Sequence, residues 1–227
     1  MLKQIKKELQ SKANKKKAKI YQGFFKTKMG EYGEGDVFLG LTVPEQRRIA
    51  KKYYEIELND LNALLKSKIH EERLTALLIL VDKYKKDKEN VFNFYLKNLN
   101  YVNNWDLVDL TSNRIVGDFL LNKEKEVLYK LAKSDNLWER RVAIVSTFEF
   151  IKYNQFEDTL KIAEILLKDK HDLIHKAVGW MLREVGKKDL KKEEEFLNKY
   201  YKEMPRTMLR YAIEKFEENK RNFYMKR

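Results

Sequence analysis

The stretch Asn103 to Leu121, NNWDLVDLTSNRIVGDFLL, sets a tryptophan and an acid four residues apart, Trp105 and Asp109. On a helix, residues at that spacing lie on one face, one above the other. A fixed carboxylate stabilises positive charge as it develops and can orient or deprotonate a water. An indole face attracts a cation by about 0.5–2 kcal/mol. Leu107, Val108, Leu110, Ile115, Val116 and Phe119 supply the apolar surface that would bury a helix across this stretch. An acid among them costs free energy unless it is paired or borders a wet groove. Asn103 or Asn104 suits the N-cap and Asp106 the first turn. Asp109 falls too deep in such a helix to be a cap, so it needs another explanation.

The elements that must position these residues are helices. Only 8 Gly and 2 Pro occur in 227 residues, and the charged residues, 37% of the chain, lie between apolar ones at helical spacing. The expected class is all-α. Lys and Arg exceed Asp and Glu by 13, a surface that favours polyanions such as DNA, RNA or an anionic membrane. A merely soluble, Lys-rich surface is the plain alternative. Cysteine is absent, which excludes a disulfide framework, a zinc–thiolate site and a thiol nucleophile. No apolar run approaches the roughly 18 residues of a spanning helix, and the basic N-terminus lacks the apolar stretch of a secretory signal. A cytoplasmic setting without membrane contact is the expectation.

Leu2 to Lys17 reads as a Lys-rich helix of weak amphipathicity, either a solvated face or a phosphate-contacting arm. Ala18 to Lys28 continues it, with Ile20, Tyr21, Phe24 and Phe25 spaced as core residues. Gly30 to Asp36, GEYGEGD, must be a loop. Its acids lack the spacing of a calcium loop, and no metal is expected there. Thr42 caps a helix that starts near Pro44, with Glu45 in its first turn.

From about Asn59 the chain alternates amphipathic helices with short polar breaks. HEERLTALLILV, NNWDLVDLTSNRIV, NLWERRVAIVSTF, DLIHKAVGWMLRE and RTMLRYAIEKF align on Ala76, Asp109, Ala143, Ala177 and Ala212, at steps of 33, 34, 34 and 35 residues. Steps near 34 fit two helices and two turns per unit, the signature of a HEAT-type α-solenoid. The intervening helices are Glu89 to Leu99, Lys123 to Ala132, Phe156 to Leu167 and Leu190 to Tyr201. The expectation is a single domain over 1–227, an α-α superhelix with a concave basic groove; helical pairs that are not solenoidal are the other possibility. Four anchors are Ala, which lets packed helices approach, and one is Asp109. Two residues earlier stand Leu74, Leu107, Arg141, His175 and Arg210, so the later units carry donors on what would be one shared face.

NNWDLVDL, LWERRVAI, HKAVGWMLREVGK and MPRTMLRYAIEKF, with GEYGEGDVFLGLTVPEQRRIAKKY and HEERLTALLILV before them, resemble the AlkD-like DNA alkylation-repair glycosylases. The resemblance runs from about Ala18 to about Phe216. It implies a HEAT-like repeat enzyme that hydrolyses the N-glycosidic bond of positively charged N3- and N7-alkylated purines in duplex DNA, without a cofactor. By that resemblance the catalytic acid falls on Asp109, the two tryptophans that contact the lesion's nucleotide on Trp105 and Trp180, and the arginine that grips the DNA backbone on Arg141. The Gly30–Asp36 loop is longer than in compact family members. Taken by themselves, Trp105 and Trp180 would read as core, and Asp109 one turn on tips Trp105 toward a site. Trp138 reads as packing, Arg140 as solvated, and His175, Lys176 and Arg210 as phosphate contacts or salt bridges.

Alkylation at purine N3 or N7 makes the base a cationic leaving group that needs no general acid. The resemblance also implies that the lesion is met from the backbone side of the duplex, without an enclosed base pocket. Two other readings share the basic surface: a non-catalytic DNA-binding HEAT-repeat protein, which does not need Asp109, and a scaffold for an acidic protein. The chain shows no P-loop, dinucleotide-binding glycine fingerprint or metal triad. A monomer suits such an array.

Overall fold

The computed structural model describes residues 1–226. The regular structure of the described residues is helical, apart from one isolated parallel bridge between Val37 and Ile69. They divide into two compact units, Met1–Thr111 and Ser112–Arg227.

The first unit contains α1 (Leu2–Ser11), α2 (Lys15–Phe24), α3 (Val43–Lys52), α4 (Leu58–Leu65), α5 (His70–Tyr84), α6 (Lys88–Lys97) and α7 (Trp105–Asp109). Its centre is α5, buried at every residue from His70 to Val81 and packed by α1, α3, α4, α6 and α7. The start of α5 is charged, and its charges are engaged. Glu71 accepts the backbone N–H groups of Leu39, Gly40 and Leu41 at 2.9, 2.7 and 3.2 Å. Glu72 receives Lys6 at 2.8 Å. Arg73 donates to Asp36 at 2.6 Å and to the Ser67 carbonyl at 2.8 Å. His70 bridges two acids, Asp36 at 3.0 Å and Asp106 at 2.8 Å. Burial works against a charge on His70, but Asp106 and Asp36 beside it raise its pKa to about 9. Burial likewise works against ionised Asp36, and His70 and Arg73 overcome it, holding that carboxyl below its usual range.

Two expectations for the N-terminus are corrected. Ile5 and Leu9 of α1 are fully buried, so α1 is a core helix rather than a weakly amphipathic arm. Its packing on α3, α4 and α5 selects one apolar turn-to-turn pair from an otherwise Lys-rich run. The run also breaks, because the Asn14 side chain accepts the Lys17 N–H at 3.1 Å and starts α2 afresh. By contrast, Thr42 caps α3 as its sequence implies, its N–H and hydroxyl donating to Glu45 at 2.7 and 2.6 Å. Gly40 sits at φ +89°, where an added Cβ would collide with the Asn14 carbonyl and the Ala18 amide.

The second unit opens with a π-helical turn, Asn113–Gly117, that leads into α8 (Asp118–Leu120). Then follow α9 (Glu126–Ala132), α10 (Leu137–Ser146), α11 (Phe148–Lys152), α12 (Glu157–Ile165), α13 (Asp172–Lys188), α14 (Leu190–Tyr200), α15 (Arg206–Ala212) and α16 (Glu218–Met225). Within this unit α10 packs on α13 and α13 on α15, while α9 packs on α10 and α14 on α13. The anchors Ala143, Ala177 and Ala212 are buried on α10, α13 and α15. Gly179 lets α13 and α15 approach closely, since a Cβ there would strike the Met208 carbonyl and Tyr211. Glu193 of α14 is buried against Gly186, and its Oε1 meets no hydrogen-bond partner among the described residues. Burial, with Glu194 adding repulsion, pushes its carboxyl up to about 8.

Replacing Gly40 by Ala combines a steric clash with a left-handed backbone, and should cost about 2–4 kcal/mol in denaturant unfolding. Glu193 holds its proton in the folded state after the unfolded chain has released it. Its contribution to stability therefore declines as pH rises from its ordinary 4.5 to about 8. Thermal unfolding of Glu193→Gln should match the native protein near pH 5 and exceed it increasingly toward pH 8. His70 loses its contribution higher, as pH rises from its ordinary 6.5 through about 9. That second decline should persist in the Glu193→Gln protein.

Candidate functional site

The helix expected across Asn103 to Leu121 is interrupted. α7 covers only Trp105 to Asp109, and Asp109 is its last residue rather than one deep inside. Thr111 explains the break. Its hydroxyl donates to the Leu107 carbonyl at 2.5 Å, and its N–H turns to Val108 at 3.1 Å. The side chain thus takes the carbonyl that a continued helix would have used. With its proton committed there, the Thr111 hydroxyl accepts from the buried Tyr95 hydroxyl at 2.9 Å.

The start of α7 is anchored as the sequence implies. Asn104 is buried and its side chain accepts the Trp105 N–H at 2.9 Å. Its amide donates onward to Asp36 at 3.4 Å. Asp106 accepts the Leu107 N–H at 2.9 Å as well as His70. Asp106, Leu107 and Val108 are all buried, which leaves Trp105 and Asp109 as the partly exposed residues of α7. The two are one turn apart. Asp109 is engaged within the fold yet keeps access to solvent, unlike the buried alanines at the aligned positions. Its charge reaches inward too: burial pushes the Tyr95 phenol far up, and Asp109 adds to that shift.

Trp105 caps a column of rings. Phe25 stacks on it with centroids 5.1 Å apart and planes 9° from parallel. Phe38 stacks on Phe25 at 4.9 Å, and His70 on Phe38 at 4.5 Å. Phe24 meets Trp105 edge-on at 5.7 Å. Ile20 and Phe24 are not core residues as expected; they are 66% and 62% exposed. Helix α2 buries none of its residues, so Phe24 stands open beside Trp105. A cleft of about 170 Å³ lies alongside, lined by Tyr21, Phe24, Phe38, Leu41, His70 and Asp106 among others.

The remaining candidates lie in the second unit. Arg141 on α10 is only 5% exposed, and its guanidinium donates to the Leu173 carbonyl at 2.5 Å. Trp180 on α13 is half-buried; its indole N–H donates to Glu184 at 3.2 Å and its ring tilts against Phe148 at 5.8 Å. His175 donates from Nε2 to the Asp169 carbonyl at 2.5 Å. Lys176 pairs with Asp172 at 2.6 Å. Arg210 on α15 is exposed and, with Lys176, Thr207 and Arg221, lines an open depression of about 520 Å³ that also contains Asp172 and Glu214. Trp138 is buried. Arg140, expected to be solvated, is instead held by Asp169 at 2.6 Å and by the Ser134 and Asp135 carbonyls, both at 2.9 Å. A guanidinium fork can satisfy a carboxylate and two carbonyls at once, which gives it a fixed seat.

The acids of the Gly30–Asp36 loop are occupied by the fold. Glu31 accepts the Lys28 N–H at 2.9 Å, Glu34 the Gly30 N–H at 2.8 Å, and Asp36 joins His70 and Arg73. Among the described residues no cluster of His, Cys, Asp and Glu is placed to hold a metal, and no helix is long and apolar enough to cross a membrane. The linkage of Asp36, His70 and Asp106 escaped the reading of the sequence. A signal was present: the three stand 34 and 36 residues apart, close to the spacing of the aligned segments.

The family model described as DNA alkylation repair enzyme matches residues 5–216. No curated protein matches the sequence. Among solved structures, a predicted DNA alkylation repair enzyme from Enterococcus faecalis is 19% identical, with a TM-score of 0.72 over 91% of this chain and 97% of that one. The smu.31 protein of Streptococcus mutans UA159 is 22% identical, with a TM-score of 0.55 over 77% of this chain and 92% of its own. These likenesses establish the shared fold. The match over residues 5–216 places the chain in the DNA alkylation repair enzyme family.

Proposed function

We propose that this protein is a monofunctional DNA glycosylase, acting as a single HEAT-like repeat domain that releases positively charged N3- and N7-alkylated purines from duplex DNA. The family supports a role in DNA repair. What carries the finer reading is α7, which buries Asp106, Leu107 and Val108 but leaves an acid and an indole partly open, one turn apart.

The reaction asks little of an acid catalyst. The C1′–N bond breaks with its electron pair moving to the cationic purine, which leaves neutral. Positive charge then develops on the deoxyribose. Asp109 stabilises that charge more in the transition state than in the ground state, which lowers the barrier. It also orients the water that adds to C1′ and takes up its proton. Trp105 and Trp180 present electron-rich faces to the cationic nucleotide. Arg141 holds a backbone phosphate, exchanging the Leu173 carbonyl for it, while His175, Lys176 and Arg210 make further phosphate contacts.

Asp109→Asn preserves shape and removes charge. Single-turnover release of 7-methylguanine should fall about 100- to 1,000-fold. Affinity for the same duplex should change little and should weaken with added salt in both proteins. Uracil should not be released, because nothing in the site activates a neutral leaving group. Full excision by Asp109→Asn removes the assignment. Duplex binding without base release by the native protein leaves a non-catalytic DNA-binding role instead.

A further inference from the structure

We propose that His70, acting through Asp106 and through the ring column of Phe38 and Phe25, is the positioning residue that fixes Trp105 for the lesion. The inference rests on the glycosylase reading for its consequence, and on geometry for its content. His70 is 2% exposed, and each of its ring nitrogens faces a carboxylate oxygen. Two acceptors require two protons, so the ring is an imidazolium; Arg73 completes a quartet of two acids and two cations.

The hold on Trp105 comes from two directions. Along the chain, the bond to Asp106 anchors the residue directly after Trp105, while Asn104 on the other side is tied to Asp36, the second partner of His70. Through space, the His70 ring supports Phe38, Phe38 supports Phe25, and Phe25 lies nearly parallel beneath the indole. Backbone and ring are therefore referred to one buried group. A buried ion quartet is a poor way to gain stability, because apolar packing of equal volume often does as well. Its directional bonds and fixed spacing define a position, which apolar contacts do less sharply. Among the described residues, Trp180 has one hydrogen bond, to Glu184, and one ring contact, a tilted one with Phe148.

The test compares Asp106→Ala, Asp106→Asn and Phe38→Leu at a temperature where circular dichroism shows each fully folded. Asp106→Ala removes the chain anchor, Asp106→Asn keeps an oxygen that can accept from His70, and Phe38→Leu leaves every ion pair but interrupts the column. Two readouts are taken. One is single-turnover release of 7-methylguanine beside duplex affinity. The other is acrylamide quenching of Trp105, isolated by subtracting the matched Trp105→Phe protein. Asp106→Ala should lose about 100-fold in rate with affinity retained, Asp106→Asn should recover most of it, and Phe38→Leu should lie between. Trp105 should become more quenchable in the same order. Native rates in folded Asp106→Ala overturn the proposal; should that variant not fold, native rates in Phe38→Leu do so. If the native protein releases no methylated base, the glycosylase reading fails by itself. The quenching arm still decides this inference, and unchanged Trp105 quenching in the folded variants overturns it.

Discussion

An imidazolium shut away from water persists only where acids lie within hydrogen-bond reach on both sides, and His70 meets that condition with Asp36 and Asp106. The requirement reaches well beyond one side chain. It binds the end of the glycine-rich loop to the start of α5, and the start of α5 to the start of α7. Arg73 tightens the same joint by holding Asp36 and the Ser67 carbonyl. Glu71 adds a second joint one residue on, gathering three consecutive backbone N–H groups of the segment that leads into α3. The N-terminal end of one buried helix thus organises much of the first unit. The Gly30–Asp36 loop is part of that frame through Asp36.

The consequence for chemistry lies in the shortness of α7. A longer helix through Asn103–Leu121 would have surrounded Asp109 with its own turns. Thr111 ends the helix by competing for the Leu107 carbonyl, so the acid emerges at a terminus with solvent beside it. The C-terminal end of a helix does not favour a carboxylate, and the charge of Asp109 in turn helps keep the buried Tyr95 phenol neutral. Three of the candidate phosphate contacts in the second unit are engaged within the fold. Arg141 and His175 donate to carbonyls, and Lys176 bridges to Asp172. A phosphate contact from Arg141 or His175 therefore means exchanging one acceptor for another.

Much of this was legible from local pattern. The repeat step located the helices of α5, α10, α13 and α15, and the intervening helices fall within a few residues of their expected bounds. The Thr42–Glu45 cap, the Asn104 cap of α7 and the burial of Trp138 follow from side-chain chemistry at fixed short offsets. Local pattern misled where burial depended on a distant partner. Ile5 and Leu9 sit in a Lys-rich run and are buried because α3, α4 and α5 cover them. Ile20 and Phe24 have core-like spacing and are exposed because none of the described residues covers that side of α2. Arg140 looks solvated in the sequence, since only folding brings Asp169 and two carbonyls within its reach.

Periodicity, composition and short motifs determined the helical class, the spacing of the aligned segments, the capping residues and the acid that stands among small residues. These are properties of neighbours along the chain, where spacing and chemistry act together. Only the tertiary structure decided that α7 stops at Asp109, that Phe24 and Phe25 flank Trp105, and that Asp36, His70, Arg73 and Asp106 form one buried ion group. Such features depend on which groups meet away from water. The strength of a charge or a ring contact is set by that meeting rather than by its place in the sequence.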